Sequence, residues 1–139
     1  MVKLALDDNV PGSEHFKWRE VLLLHEWGFH AMPEVEEYTN LVRVIHKLEW
    51  IRSILHTSII ITSGFRPQPY NLEIGGSIGS AHIRGMAIDW YAKYMSCNKV
   101  RQILIPYLDE LNIRMENKPG SNWVHTDIKE PVNNRYFKP

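Results

Sequence analysis

The chain has one cysteine, Cys97, which excludes an internal disulfide and every zinc module built on clustered thiolates. A lone thiol suits a reducing compartment without requiring one. Net charge is also missing: 16 lysines and arginines balance 16 aspartates and glutamates, so the protein as a whole has no electrostatic claim on nucleic acid or an anionic membrane. Long apolar runs are absent too. None approaches the ~20 residues that a membrane-spanning helix requires, so no stable membrane insertion is expected. At the N-terminus, Asp7 and Asp8 interrupt Met1 to Leu6 before a signal-peptide core forms, and no export signal is visible. Gly75, Gly76 and Gly79 lack the Gly-Lys-Ser/Thr ending of a phosphate-binding loop, which argues against a nucleotide. There is no internal repeat, heptad run or low-complexity tract.

What is present fits one compact domain over residues 1–139, with 1–14 as an N-terminal arm and 131–139 as an irregular tail. Phe16, Val21, Leu22, Leu24 and Trp27 suggest a helix from His15 to about Trp27, ended by Gly28. Pro33 and the acids Glu34, Glu36 and Glu37 mark the start of a second helix. Leu41, Val44, Ile45, Leu48, Ile51, Ile54 and Leu55 carry its apolar stripe at three- and four-residue intervals. Ser58 to Ser63 is β-branched and apolar, and reads as a buried strand. Residues 68–80 read as a loop, and Met86 to Tyr91 as a strand with Ala87, Asp89 and Tyr91 on one face. Gly85 and Ala87 are expected to leave space beside that face. Ser96 or Asn98 caps a helix reaching Leu111, kinked or tightened at Pro106. Ile113 to Glu116 and Asn122 to Ile128 read as the strands of a hairpin.

The chemistry-bearing stretch is Ser80-Ala81-His82-Ile83-Arg84-Gly85-Met86-Ala87-Ile88-Asp89. His82 and Asp89 stand seven residues apart across a glycine. Nitrogen and oxygen donors suit zinc, and His125, in the alternating segment Asn122 to Asp127, supplies a third ligand if the strands form one antiparallel sheet. Three ligands leave the fourth tetrahedral position open, the arrangement of a catalytic zinc. The bland alternative is that buried His and Asp side chains merely satisfy backbone groups. His25 and His30 have no ligand partner at a supporting spacing and read as partly buried or surface histidines, while packing beside the helix stripe explains His46 without a ligand. Arg66 follows the strand at 58–63 and offers planar, paired donors to a carboxylate or a developing oxyanion.

In order along the chain, Ser63-Gly64-Phe65-Arg66-Pro67, Asn71, Gly75-Gly76, the block from Ser80 to Asp89, and Trp123-Val124-His125-Thr126-Asp127 resemble the zinc D-Ala-D-Ala carboxypeptidase family. The likeness covers about residues 15–130. It implies an α+β fold shared with the Hedgehog signalling domain, helices packed on a small antiparallel sheet. It implies His82, Asp89 and His125 as Zn2+ ligands, Arg66 as a residue that binds or polarises substrate, and Ser80 as support for the ligand loop or a substrate contact. The implied partners are peptidoglycan stem peptides, and the implied activity is that of a D,D-carboxypeptidase or an endolysin-type endopeptidase. One position departs: many members carry an acid three residues before the last histidine as general base, and this chain has Asn122. Glu116 and Asp127 are the candidate substitutes. The alternative is a zinc-containing wall-binding or virion-associated module with impaired turnover. With no export signal visible, action at the wall fits a phage product that arrives after membrane permeabilisation.

Overall fold

The computed structural model describes all 139 residues, from Met1 to Pro139. Its framework is one long helix laid on a mixed sheet, and 28 buried hydrophobic residues form a continuous core between them.

The helix α2, Val35–Leu55, follows the apolar stripe read from the sequence. Leu41, Val44, Ile45, Leu48, Ile51 and Leu55 are buried. Its first turn is held by the Glu37 carboxylate, which accepts from the Glu34 amide at 3.1 Å. Its end is set by His56 in the left-handed conformation, with its amide donating to the Arg52 carbonyl.

Four strands arise from the segments with β-branched or alternating sequence: β3, Ile59–Ser63; β4, Ala87–Ala92; β5, Arg114–Glu116; and β6, Val124–Asp127. They lie in the order β3-β4-β6-β5 and are antiparallel to one another. The register sets Asp89 opposite His125 and Arg114 opposite Asp127. On β6, Val124 and Thr126 face the core, where the Trp90 indole donates to Thr126 Oγ1 at 3.0 Å. That leaves His125 and Asp127 on the other face.

Several expectations are corrected. The helix read over 15–27 is only α1, Trp18–Leu22; β1, Leu23–Leu24, then pairs with β2, Phe29–His30. Gly28, at φ +72°, sits in the turn of that ribbon instead of ending a helix. The loop read over 68–80 contains α3, Gln68–Glu73, which starts beside Pro69 in its first turn. The helix read to Leu111 is broken at Pro106 into α4, Cys97–Leu104, a short 3-10 turn, and α5, Leu108–Leu111. Ser96 caps α4, accepting from the Lys99 amide, while Asn98 instead accepts from Arg101 and Gly120. The tail read as irregular contributes β7, Tyr136–Phe137, parallel to β5, so the sheet is not wholly antiparallel. Gly85 does not make room beside the Asp89 face. It lies against α2, where a Cβ would come within 2.7 Å of the Glu37 carbonyl oxygen, and its φ of +73° favours glycine.

Candidate metal centre

Asp89 is carried by β4 and His125 by its neighbour β6, so the sheet alone brings them side by side. His82 arrives from a 3-10 turn, Ala81–Arg84, that packs between β4 and α2. Ser80 caps this turn, its hydroxyl accepting from the His82 amide at 3.3 Å. Buried Arg101 on α4 fixes the approach to β6 by donating to the carbonyls of Trp123 and Ser121.

The three side chains converge. One ligand atom from each lies within 4.8 Å of the others, and the two imidazole centroids are 5.2 Å apart. Asp89 Oδ1 lies 3.1 Å from His82 Nε2 and 2.9 Å from His125 Nδ1. The far side of each ring is occupied by an acceptor. His82 Nδ1 lies 2.8 Å from the Gly64 carbonyl oxygen, and His125 Nε2 lies 2.8 Å from Asp127 Oδ2. A carbonyl can only accept, so His82 Nδ1 holds a proton and the lone pair of the neutral ring lies on Nε2, toward Asp89. His125 stands between two carboxylates, Asp89 at Nδ1 and Asp127 at Nε2, and its Nε2–H tautomer presents the Nδ1 lone pair toward Asp89 and His82. Two imidazole nitrogens and a carboxylate oxygen, each supported from behind, form a donor set that fits zinc.

The charges follow from this geometry. Burial alone would raise the Asp89 carboxyl, but the two histidines beside it, His82 foremost, outweigh it and hold the group far below the usual carboxylate range. Burial lowers His82, only partly offset by Asp89. For His125 burial is overcome by the two carboxylates Asp127 and Asp89, and the ring is pushed up to about 9. A metal held at His125 Nδ1 takes the place of a proton there, so metal uptake competes with protonation of the ring.

The centre opens into a cavity of about 700 Å³ whose walls include Arg66, Ser80, Glu116 and Trp123. Arg66 donates through Nε to Ser63 Oγ and through Nη2 to Asp89 Oδ2, at 2.8 and 2.9 Å. Its Nη1 makes no hydrogen bond within the chain. The guanidinium thus both fixes the Asp89 carboxylate and faces the cavity.

The model of the family described as Peptidase M15 matches residues 14–127. The chain belongs to the M15 peptidase family. It is therefore a metallopeptidase of a zinc-dependent, peptidoglycan-directed family, with the α+β fold expected of it. Among curated proteins no match is found. No helix of this M15 chain is long and apolar enough to cross a membrane.

The candidate acids part company in the M15 cavity. Asp127 is fully buried and committed: Arg114 Nε and Nη2 donate to its two oxygens at 2.8 and 2.9 Å, besides the contact with His125. Glu116 lines the cavity, forms no ion pair, and lies two residues from Arg114 on the same face of β5. The β5–β6 register, carried one step further, sets Glu116 opposite His125. Asn122 is exposed and lines a separate, shallower cavity with Tyr91 and Cys97. Asn122 is thus not among the residues that line the cavity at the three ligands.

Sequence reasoning missed Arg114, Phe137 and the lysines Lys118, Lys129 and Lys138, all of which line the cavity. Alternation along β5 was a usable signal for Arg114, since it shares a face with Glu116. For Phe137 there was none, because its position depends on tail residues pairing with an edge strand.

Proposed function

We propose that this M15 chain is a zinc peptidase that cleaves peptidoglycan stem peptides, as a D,D-carboxypeptidase or as an endopeptidase of the endolysin type. The reading is carried by the convergence of His82, Asp89 and His125 at the floor of an open cavity, with an acceptor behind each imidazole. These three residues are assigned as the zinc ligands. When bound there, zinc supplies Lewis-acid chemistry, polarising a peptide carbonyl and making water nucleophilic at neutral pH.

The remaining roles fall to the chain's own side chains. Glu116 is assigned as the general base: it is the cavity carboxylate with no cationic partner, so it is free to accept a proton and pass it to the leaving amine. Asp127 is assigned an orienting role, because a carboxylate held by a bidentate arginine is a poor proton acceptor. Arg66 directs Nη1 toward the substrate carbonyl or a substrate carboxylate, and Ser80 holds the His82 turn at the cavity wall.

Cavity charge favours an anionic peptide. Arg66 pairs with Asp89 and Arg114 with Asp127, which leaves, among the side chains of the lining, Lys118, Lys129 and Lys138 against Glu116. A protein of zero net charge therefore concentrates positive charge at this opening.

The test is digestion of purified peptidoglycan by the zinc-loaded chain, with released D-alanine and cleaved stem peptides identified by mass spectrometry. Wild type should release one or the other, and Glu116→Gln should lower turnover by roughly 10²–10⁴-fold at unchanged zinc content. Zinc uptake with no cleavage of any stem peptide would favour a wall-binding module over an enzyme.

A further inference from the structure

The C-terminal strand β7 lies outside residues 14–127, which the family match covers, yet it builds part of the site wall. Phe137 is the contact. Its ring lies over the Arg114 guanidinium, 3.9 Å from Cζ to the ring centroid, and stands edge-on to the His125 ring at 5.9 Å. Arg114 in turn holds both oxygens of Asp127, and Asp127 holds His125 Nε2. Asp127 is wholly buried and the Arg114 side chain only 13% exposed, so neither can trade this partner for water.

The strand is tied down independently of the site. The amides of Met115 and Asn117 donate to the carbonyls of Arg135 and Phe137 at 2.7 and 2.6 Å. Arg135 is anchored at the end of α5, through Nε to Asp109 and through Nη2 to Asn112. From the Arg135 anchor a continuous chain of contacts thus runs through Phe137, Arg114 and Asp127 to His125.

We infer that Arg114 and Phe137 are positioning residues for His125, and that β7 acts as a strap that completes the metal centre from outside the matched residues. The physical reason is geometric. A histidine ligand needs its ring plane fixed, and a carboxylate fixes it only if that carboxylate is itself held at both oxygens. Bidentate pairing to the planar edge of Arg114 does this, and stacking under Phe137 excludes water from the guanidinium's open face. Lysine cannot reproduce the paired donors, and leucine cannot reproduce the ring face.

The inference rests on the zinc reading for its consequence but not for its geometry, so the experiment has two arms on the full-length chain. In the metal-free protein, nuclear magnetic resonance should show the Arg114 Nε–H shifted upfield by the Phe137 ring and slow to exchange. Phe137→Leu and Arg135→Gln should remove the shift and speed exchange, whereas Phe137→Tyr should keep both. In the second arm, zinc affinity is measured by competition with a chromogenic chelator. Arg114→Lys and Phe137→Leu should bind roughly 10–100-fold more weakly, with Phe137→Tyr near wild type. Circular dichroism confirms that each variant is folded. An Arg114 Nε–H that exchanges at solvent rates in the wild type, or variants that hold zinc as tightly as wild type, overturns the strap. A wild type that takes up no zinc sinks the zinc reading instead, and the first arm still decides whether β7 orders Arg114.

Discussion

The Nδ1 nitrogen of His82 lies 2.8 Å from the carbonyl oxygen of Gly64, joining the segment after β3 to the segment before β4 through one hydrogen bond. Gly64 can occupy that place because it has no side chain. A Cβ there would stand 2.3 Å from the Val21 carbonyl oxygen, which already accepts from the Phe65 amide. Gly64→Ala should therefore push β3 away from α1 and cost about 1–3 kcal/mol of stability. Urea unfolding measures the loss, and weakened zinc binding should accompany it because His82 loses its acceptor. Unchanged stability would show that the close approach is relieved elsewhere.

Asp127 and Glu116 should fail differently. Asp127→Asn removes the charge facing a nearly buried Arg114, so it should destabilise the fold by roughly 3–5 kcal/mol and weaken zinc binding. Glu116→Gln should leave both unchanged and abolish most turnover. Parallel thermal melts and zinc titrations distinguish the two, and a destabilised Glu116→Gln would transfer the base role away from Glu116.

Substrate capture should depend on salt. With Lys118, Lys129 and Lys138 at the cavity and a screening length of ~8 Å at physiological ionic strength, kcat/KM for an anionic stem peptide should fall as salt rises. Replacing the three lysines by glutamine should flatten that profile while kcat stays the same. A salt-independent wild type would remove the electrostatic argument.

A separate prediction concerns the N-terminal segment and pH. Glu49 on α2 accepts from the Ser13 hydroxyl, the Glu14 and His15 amides and the His15 ring, each at 2.8 Å. Burial would raise this carboxyl, but the bonds from His15 and Ser13 prevail and hold it below its ordinary value of 4.5. Its folded-state value is depressed, so the stability it contributes is present above 4.5 and is lost as pH falls through the folded value. Acidification should therefore release residues 13–15 before the core unfolds, as faster amide exchange at Glu14 and His15. Glu49→Gln should show that exchange already at neutral pH, and equal exchange in both proteins would contradict the role.

Much of this architecture is legible in the residues. The α2 stripe is long and strictly periodic, so tertiary context had little to override. The alternation around Asp89 and His125 was enough to place each on a strand; that the strands are neighbours was conditional on one shared sheet, which the structure shows, and it brings His82 to them. What failed shares a cause. Val21, Leu22, Leu23 and Leu24 form an apolar run with no period of its own, and it divides between the end of α1 and the start of β1. The polar tail becomes β7 only because β5 offers an open edge, a fact of the assembled sheet. Alternation could have put Arg114 on the face of Glu116, but its partner appears only once the β5–β6 register sets it opposite Asp127.

The most direct test of the central claim is the zinc content of purified protein, measured by atomic emission for wild type and for His82→Ala, Asp89→Ala and His125→Ala. One tightly held zinc per chain is expected in the wild type and none in the three variants, each still folded by circular dichroism. Zinc absent from a folded wild type supplied with the metal, or retained when all three side chains are removed, would contradict the account.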